Sequence, residues 1–516
     1  MKLRILETSD IHSYISSDSF KKVGEKELFS MSRAKTYIDN IRKEDKNLIY
    51  IDNGDNIQGS PLATLYHNKN DLKNLAESYN MIKPDCLVLG NHDFNYGQDY
   101  LKSYINNLKA PVLSANTIQK ANNGLDISPY IIKEIEGIRI GILGLITQHI
   151  PHWENPKNIE GLEFKSALET AKYFVPILKD DEKCDIVIIS YHGGFAKDLE
   201  TGSEIQVQNG ENEGYDLLYS GLNFDVLLTG HTHQEIAGIY NDIPVVQPAF
   251  SAKKIAEINL EIDENKKIIS KEARLIDLSE IDPDPVMENY IKGDIIEVQE
   301  FLDKSCNTII EPSAIIDSVV DAQIHGHPYV NLINQIQMEN AGVDIAGVAI
   351  YTKDAKGIDS KVNMRRIIDN YMFNNTLMKV ELTGKEFRQI LEFNSNYFIL
   401  NEVGVLVENP EYFMFNYDIY SGIDYTYDFC KEKGQRLTSV KYHGRELKDD
   451  EKITFATNNY RAIGGGDFPV LDGSQVIWES SQEMPQLIFD YIEKREVVEI
   501  KDYDSINVIG YKNVGI

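Results

Sequence analysis

The first 275 residues alternate short apolar runs with longer amphipathic stretches. Runs rich in Val, Ile and Leu, such as Ile138 to Ile146, predict buried strands. The stretches Ser32 to Lys43 and Ala167 to Lys179 carry apolar residues at helical spacing and predict helices. Strands that alternate with helices in this way indicate an α/β fold.

Five of the predicted strands are followed at once by residues of the types that bind metal ions. In an open α/β sheet, the loops at the carboxyl ends of the strands converge on one edge, so residues far apart in sequence meet there. The series therefore predicts a single site. Its members are Asp10-Ile11-His12, Gly54-Asp55, Gly90-Asn91-His92-Asp93, Tyr191-His192-Gly193-Gly194 and Thr229-Gly230-His231-Thr232-His233.

The pattern changes at Asp282-Pro283-Asp284-Pro285, where Asp284 is suited to cap a helix that Pro285 begins. This helix is predicted to continue to about residue 304. Beyond it, longer helices mix with aromatic-rich segments. A chain of 516 residues also exceeds what one hydrophobic core organises. We therefore predict a domain at 1–280, a linker helix at 281–305 and a second domain at 306–516.

Composition excludes several classes of partner. A net charge of -29 repels the phosphate backbone and argues against polymeric nucleic acid. No apolar stretch is long enough to span a bilayer, so no membrane partner is expected. The four scattered cysteines indicate reduced thiols, and residues 1–9 lack a secretory signal. These features predict a cytoplasmic protein, or a secreted or periplasmic one if a leader has been removed.

The residue types at the strand ends indicate a pair of divalent ions. Carboxylate and amide oxygens bind hard cations, whereas imidazole favours zinc, iron, cobalt or nickel; manganese also suits the oxygen donors. Cysteine is absent from the set, which favours a catalytic site with open positions over structural zinc. Two ions roughly 3.5 to 4 Å apart are typical of enzymes that cleave phosphate esters.

Together these motifs resemble those of the calcineurin-like metallophosphoesterases. The C-terminal half is similar to the C-terminal domain of bacterial 5'-nucleotidases and 2',3'-cyclic-nucleotide 2'-phosphodiesterase/3'-nucleotidases. The resemblance implies a metallophosphoesterase β-sandwich flanked by helices, followed by an α/β domain of the 5'-nucleotidase type that binds the nucleobase. The C-terminal motifs are Asn374-Asn375-Thr376, Leu382-Thr383-Gly384-Lys385, Ser421-Gly422-Ile423-Asp424-Tyr425 and Asn458-Asn459-Tyr460-Arg461-Ala462-Ile463-Gly464-Gly465-Gly466.

The resemblance also implies a role for each residue of the site. His92 is expected to stabilise the transition state or to protonate the leaving oxygen, which suits an imidazole. Two metal ions of undetermined identity are expected. The first is assigned to Asp10, His12 and His233, the second to Asn91, His192 and His231, and Asp55 is assigned to bridge them.

Two departures from the 5'-nucleotidase pattern favour esters at the 2' or 3' oxygen. Asn95 stands where many 5'-nucleotidases have an aspartate that orients the catalytic histidine. The segment 341–350 contains no arginine, although the matching segment of 5'-nucleotidases carries one that binds phosphate. Arg365 and Arg366 lie nearby in a predicted helix and are expected at the surface.

Aromatic residues of the second half are expected to sandwich a nucleobase. Tyr417 and Tyr460 match the two stacking positions of the family, and Phe415 is the alternative for the first. Asp467 follows the glycine run and has no assigned role. Four asparagines, expected at the surface, are further candidates for bonds to base or sugar: Asn394, Asn396, Asn458 and Asn459.

The leading prediction is a two-metal hydrolase of small nucleotides, of the 2',3'-cyclic-nucleotide 2'-phosphodiesterase/3'-nucleotidase type. One alternative is a 5'-nucleotidase or UDP-sugar hydrolase. An alternative of another class is a catalytically inactive nucleotide-binding protein. The sequence leaves the oligomeric state open.

Overall fold

The structure, a computed structural model, describes residues 1–120, 124–152, 154–205, 208–373, 375–503 and 505–512. Asn374, which belongs to one of the quoted motifs, lies outside these ranges. The chain forms two compact units, Met1–Gln299 and Glu300–Ile516. The domain boundaries given above stay predictions.

The first unit alternates strands and helices as the apolar pattern predicts. Its helices are α1 (Met31–Glu44), α2 (Pro61–Lys69), α3 (Lys73–Ile82), α4 (Gln98–Asn107), α5 (Ala167–Pro176), α6 (Gly214–Leu218) and the start of α7 (Pro285–Asp303). Its strands are β1 (Lys2–Thr8), β2 (Leu48–Asp52), β3 (Cys86–Val88), β4 (Val112–Leu113), β5 (Thr117–Gln119), β6 (Ile127–Ser128), β7 (Tyr130–Ile135), β8 (Ile138–Ile146), β9 (Leu162–Phe164), β10 (Ile186–His192), β11 (Val226–Thr229), β12 (Glu235–Tyr240), β13 (Ile243–Pro248), β14 (Lys254–Ile262) and β15 (Ile268–Asp277).

Two sheets pack face to face in this unit. One has the strand order β15-β14-β1-β2-β3-β4-β6, and the other has the order β12-β13-β11-β10-β8-β7. A single apolar core joins Ile5 and Ile51 of the first sheet to Ile142 and Ile188 of the second. Helix α5 covers the outer face of the second sheet. The expected β-sandwich flanked by helices is confirmed.

Parallel pairing at the centre of each sheet positions the site. Strands β1, β2 and β3 are parallel neighbours in one sheet, and β8, β10 and β11 are parallel neighbours in the other. The carboxyl ends of these strands therefore point the same way within each sheet. The predicted metal ligands lie in the loops that follow β1, β2, β3 and β11 and, for His192, at the last residue of β10.

The helix predicted after the proline-rich break is present as α7. The N–H of Met287 donates to Asp284 Oδ1 at 2.8 Å, so Asp284 caps the first turn. Pro285 opens the helix, where its missing N–H removes no intrahelical bond. The function of α7 as a linker stays a prediction.

The second unit has an α/β fold of its own. Its helices are α8 (Val319–His325), α9 (Pro328–Ala341), α10 (Met364–Asn370), α11 (Gly384–Asn394), α12 (Asn459–Ala462) and α13 (Met484–Glu493). Its strands are β16 (Ile309–Glu311), β17 (Ala314–Ile315), β18 (Ile345–Ala349), β19 (Gly357–Ile358), β20 (Thr376–Thr383), β21 (Phe398–Leu400), β22 (Leu406–Glu408), β23 (Asp418–Ser421), β24 (Asp424–Asp428), β25 (Leu437–Tyr442), β26 (Arg445–Glu446), β27 (Lys452–Asn458), β28 (Val476–Glu483), β29 (Val497–Glu499) and β30 (Ile506–Ile509).

A five-stranded sheet of order β23-β18-β27-β20-β28 forms the centre of the second unit. Helix α9 packs on it through buried polar as well as apolar side chains. Asn334 donates to the carbonyl of Ile419, and Gln337 donates to that of Gly347. A smaller sheet of order β26-β25-β24-β30 completes the fold.

Two further sequence predictions concern thiols and membranes. All four cysteines are free, and Cys430 is exposed whereas the other three are buried. Across the described residues, no helix combines the length and the apolar composition that crossing a lipid bilayer requires.

Candidate active site

The structure brings the seven predicted metal ligands together at the strand ends of the first unit. Six of the seven form two groups of three, and within each group the ligand atoms lie within 4.8 Å of one another. The first group is Asp10, His12 and His233, and the second is Asp55, His192 and His231. The side-chain oxygen of Asn91 joins the second group through both of its histidines.

In the first group, two imidazoles face each other. His12 Nε2 lies 3.2 Å from His233 Nε2, and His233 Nε2 lies 3.4 Å from Asp10 Oδ1. The carbonyl of Gln58 lies 2.9 Å from His12 Nδ1 and accepts its proton. His12 therefore directs the lone pair of Nε2 into the site.

The second group is organised around Asn91. Its Oδ1 lies 2.8 Å from His231 Nδ1 and 3.2 Å from His192 Nε2, and the same His192 nitrogen lies 3.2 Å from Asp55 Oδ2. His192 Nδ1 donates to the carbonyl of Asn53 at 2.5 Å, which turns Nε2 toward the site. A backbone partner of this kind fixes the tautomer of a metal-binding histidine.

These donor sets fit a pair of divalent cations. Two imidazole nitrogens with lone pairs repel each other at 3.2 Å unless a proton or a cation lies between them. The buried Asp55 Oδ2 and Asn91 Oδ1 both lie 3.2 Å from His192 Nε2, so one ring nitrogen faces two oxygen atoms, an arrangement that a cation satisfies better than a single proton. Mixed imidazole, carboxylate and amide ligands suit borderline divalent metals.

The electrostatics of the groups agree with this fit. Burial alone would raise the pKa of Asp10, but the imidazoles of His192 and His233 lower it to about 2. Burial lowers the pKa of His12 to about 4, so this imidazole is neutral and able to donate a lone pair. Burial alone would lower the pKa of His192, but Asp55 and Asp10 raise it to about 10, so metal binding at this ligand would displace a proton.

Strained backbone is concentrated at the same residues. Five of the seven predicted ligands have positive φ values between 52° and 69°, a region that residues with a side chain seldom occupy. Strain of this kind persists where the surrounding structure imposes it, and it clusters at functional sites. The five are Asp10, His12, Asp55, His231 and His233.

His92 lies beside the ligands without belonging to either group. Its N–H donates to Asp55 Oδ1 at 2.7 Å, and its ring lies 5.5 Å from that of His12. His92 Nδ1 lies 2.7 Å from Asn95 Oδ1, so Asn95 does contact the imidazole. The ring is half-buried and is directed by a neutral amide rather than by a carboxylate.

Glu211 is a residue of the site that the sequence did not reveal. Its Oε1 lies 3.2 Å from His231 Nε2, the ring nitrogen opposite the one that faces Asn91. A carboxylate in this position fixes the tautomer and raises the basicity of a metal-binding histidine. It lies in a loop 20 residues from His231, where no strand-end pattern marks it.

We expect Glu211→Gln to weaken binding of one metal ion by roughly 10- to 100-fold, because His231 loses its charged partner. Calorimetric titration of Mn²⁺ into metal-free protein measures this change. Glu213→Gln is the control, since Glu213 is a neighbouring carboxylate that accepts its bonds from Ser166 and from the N–H of Ala167 rather than from His231. Equal affinity in Glu211→Gln and the wild type would contradict the assigned role.

In the second unit, the structure corrects the first stacking position. The ring of Tyr417 is 1% exposed, stacks on Tyr397 at 5.0 Å and meets the edge of Phe398 at 5.2 Å. A ring packed in this way has no open face for a base, so Tyr417 is a core residue. Phe415, the alternative, is half-buried and lies parallel to the exposed Phe413 at 5.2 Å.

Tyr460 and Phe415 both border one buried arginine. Arg461 Nη2 donates to the carbonyl of Phe415 at 3.1 Å, and the guanidinium carbon lies 5.7 Å from the centre of the Tyr460 ring. Arg461 is held by Asp418, whose Oδ2 accepts from Nε at 2.6 Å. Since Arg461 and Asp418 are each 1% exposed, this ion pair is a buried support for the Tyr460 ring and for the backbone at Phe415.

Other surface expectations for this unit were wrong. Arg365 does lie in a helix, α10, but it is buried and its Nη2 lies 2.8 Å from Asp303. Three of the asparagines are also buried, and Asn394 pairs with the backbone of Asp418 through both ends of its amide. Asp467 is exposed, as its position after the glycine run allows. The three are Asn394, Asn396 and Asn458.

Comparison with known proteins matches a different family model to each half of the chain. The family model for the calcineurin-like phosphoesterases matches residues 3–235, and the model for the 5'-nucleotidase C-terminal domain matches residues 311–473. A Staphylococcus aureus protein, provisionally named a 5'-nucleotidase and solved with alpha-ketoglutarate, superimposes with a TM-score of 0.90. It shares 30% identity over 99% of this chain and 100% of its own.

Curated relatives cover most of the chain at lower identity. The trifunctional nucleotide phosphoesterase protein YfkN of Bacillus subtilis is 26% identical over 97% of this chain, which spans 38% of that protein's length. A 2',3'-cyclic-nucleotide 2'-phosphodiesterase/3'-nucleotidase of Haemophilus influenzae is 25% identical over 95% of this chain and 84% of its own. The chain therefore belongs to the calcineurin-like phosphoesterases that carry a 5'-nucleotidase C-terminal domain, a family of metal-dependent nucleotide phosphohydrolases.

Proposed function

We propose that this protein hydrolyses 2',3'-cyclic nucleotides and 3'-nucleotides with two divalent metal ions bound in the first unit. The observation that carries the proposal is the convergence of seven side chains from five strand ends on two adjoining groups. Asp10, His12 and His233 would hold one ion, and Asn91, His192 and His231 would hold the other. Asp55 would bridge them.

When bound, two such ions supply a nucleophile near neutral pH and stabilise the attacking and leaving oxygens of an in-line displacement. The chain's own residues orient the reactants around them. The N–H of His92 donates to Asp55 Oδ1, which ties the position of His92 to the bridging carboxylate. His92 is then placed to protonate the leaving ribose oxygen.

The preference for the 2' or 3' ester rests on the arginines of the second unit. Segment 341–350 ends α9 and forms β18 without an arginine. Arg365 and Arg461 are held by Asp303 and Asp418, so neither offers the open, bidentate fork that grips a phosphate. Several relatives that span most of the chain also carry the 2',3'-cyclic-nucleotide name.

Phe415 and Tyr460 are proposed to bind the nucleobase. Both rings are half-buried, and Arg461 contacts the ring of Tyr460 and the backbone carbonyl of Phe415. Gly465 lies so close to Tyr460 that an added Cβ would meet the ring at 2.6 Å, so glycine is required beside this aromatic face. Stacking of a base between aromatic rings contributes about 1–3 kcal/mol per contact.

We expect Phe415→Ala to raise KM for a nucleotide by about tenfold or more, since one stacking contact is lost. The value of kcat should stay within about threefold, because the metal groups lie in the other unit. Initial rates on 3'-AMP measure both constants, and bis(4-nitrophenyl) phosphate, which lacks a base, is the control substrate. Tyr417→Phe, which keeps the buried ring, is the control variant and should leave KM unchanged; an unchanged KM in Phe415→Ala would contradict the assignment of Phe415 to the base.

A substrate panel on metal-reconstituted protein tests the function as a whole. Release of product from 2',3'-cyclic AMP, 3'-AMP and 5'-AMP is compared with manganese added. We expect turnover of the first two, with the 5' ester the poorest substrate. Rapid turnover of 5'-AMP alone would instead establish a 5'-nucleotidase, the second candidate, which the name of the 30% identical Staphylococcus aureus protein favours. Undetectable hydrolysis by fully metallated protein would indicate a nucleotide-binding protein.

A further inference from the structure

A buried glutamate lies behind the amide that contacts His92. Glu154 is 8% exposed, and its Oε2 accepts a hydrogen bond from Asn95 Nδ2 at 2.6 Å. Its Oε1 accepts from Asn158 Nδ2 and from the N–H of Asn155, each at 2.8 Å. A continuous chain of hydrogen bonds therefore runs from His92 through Asn95 to Glu154.

The loop that carries Glu154 is held against the turn that carries His92. Asn158 Nδ2 donates to the carbonyl of Asn95 at 2.8 Å as well as to Glu154. At Gly97 an added Cβ would approach Asn158 Oδ1 at 3.3 Å, so the two segments are in close contact there. The side chain of Asn95 therefore bonds to Glu154 and its backbone carbonyl bonds to Asn158. These two bonds fix the position of Glu154 relative to Asn95.

The carboxylate decides which end of the Asn95 amide faces His92. An ionised carboxylate only accepts hydrogen bonds, so the –NH₂ end of Asn95 must point toward Glu154. The carbonyl end then points toward His92 and requires that Nδ1 carry a proton. When His92 gives its Nε2 proton to the leaving oxygen, the neutral ring that remains is the Nδ1–H form, which Asn95 already binds.

Three donors hold Glu154 as an acceptor. Burial raises the pKa of Glu154, and the hydrogen bonds from Asn158, Asn95 and the N–H of Asn155 oppose that rise. A carboxylate that only accepts matches three donors, whereas a protonated carboxyl would also present a donor of its own. The arrangement is therefore that of an ionised carboxylate behind Asn95.

We propose that Glu154 is a positioning residue for His92 and acts through Asn95. The inference rests on the proposed function, in which His92 Nε2–H protonates the leaving ribose oxygen as the P–O bond breaks. The proton passes to the oxygen, which keeps the bonding electron pair, and His92 is left neutral with its remaining proton on Nδ1. Glu154 touches neither substrate nor metal ligand in this scheme.

Glu154→Gln is the first test. We expect kcat on 3'-AMP to fall by roughly 10- to 100-fold. Loss of a residue that orients an active-site group through a hydrogen bond typically has an effect of this size. KM should change less than about twofold, because no substrate contact is lost. On bis(4-nitrophenyl) phosphate the loss should be small, since 4-nitrophenolate departs without a proton. An equal loss on both substrates would overturn the proposal and indicate a general structural role.

Asn95→Asp combined with Glu154→Gln is the second test. Asn95→Asp alone places two carboxylates in contact and is expected to be poorly active. In the double variant the aspartate contacts His92 directly and the glutamine amide can donate to it. We therefore expect the double variant to recover most of the kcat on 3'-AMP that Glu154→Gln loses. Failure of this recovery in folded, fully metallated protein would contradict action through Asn95.

Three controls separate the outcomes. Glu213→Gln removes another buried carboxylate of the first unit that has no bond to His92 or Asn95, and kcat should be unchanged. If the wild type hydrolyses no nucleotide, the proposed function fails. If the wild type is active and His92→Ala is not, but Glu154→Gln equals the wild type, only the present inference fails. Should Glu154→Gln not fold, Glu154→Asp, which keeps the charge but withdraws it from Asn95, is expected to show the same substrate-dependent loss.

Discussion

Asp55→Asn is expected to lower kcat by on the order of 1,000-fold and to reduce the bound metal below two ions per chain. Asp55 is 1% exposed, and its Oδ2 lies 3.2 Å from His192 Nε2 while its Oδ1 accepts the N–H of His92. An amide in its place removes the charge that balances two cations. Loss of several kcal/mol of transition-state stabilisation corresponds to this fall in rate.

Elemental analysis of dialysed protein and rate measurements on 3'-AMP test the expectation. Asp52→Asn is the matched control, three residues earlier on β2. Burial raises the pKa of Asp52 to about 7, and its oxygens bind Asn56 and Thr8 rather than the metal groups, so a neutral amide is a close substitute. If Asp55→Asn binds two metal ions and keeps a near-normal kcat, Asp55 is not a metal ligand.

His92→Ala is the second large expected effect. We expect kcat on 3'-AMP to fall by roughly 100- to 10,000-fold, the usual contribution of a positioned general acid. The bound metal should stay at two ions per chain, because His92 belongs to neither group of ligands. The loss should be much smaller on bis(4-nitrophenyl) phosphate, whose leaving group needs no proton.

His67→Gln is the control for this variant. His67 also lies in the first unit, but its ring stacks on Tyr96 at 3.8 Å and has no part in either metal group. Its replacement should leave kcat on both substrates unchanged. Loss of metal in His92→Ala would show that His92 is a ligand, and an equal loss on the two substrates would exclude proton transfer to the leaving oxygen.

The two groups of predicted ligands could be found in the sequence because each ligand lies at the end of a strand or shortly after it. Ile186 to His192 is an apolar run with His192 at its end, and Val226 to Thr229 precedes His231 in the same way. Parallel pairing then carries such residues to one edge of the sheet whatever their separation along the chain. Helix α7 could also be predicted from the sequence, since its capping aspartate and first-turn proline are local signals.

The supporting residues left no comparable signal. Glu154 lies in a loop and bonds to Asn95, 59 positions away. Glu211 lies in another loop and contacts His231, 20 positions away. Arg461 and Asp418 are 43 residues apart, and only the folded sheet shows that they pair. None of these three contacts follows from residue type or from apolar periodicity.

The choice between Tyr417 and Phe415 shows a different limit. Phe415 lies within a helical turn at Met414–Asn416, and Tyr417 caps that turn directly before β23. In one continuous strand, two rings two residues apart would share a face. Because the turn interrupts the strand pattern, the spacing of the two residues does not predict which ring is buried. Tyr417 lies in the core and Phe415 does not, although both match the aromatic pattern.

Anomalous diffraction from crystals grown with Mn²⁺ tests the dinuclear site most directly. We expect two peaks roughly 3.5 to 4 Å apart in the first unit. One should lie among Asp10, His12 and His233, the other among Asn91, His192 and His231, with Asp55 between them. A single peak, or two peaks that these seven side chains do not contact, would contradict the account.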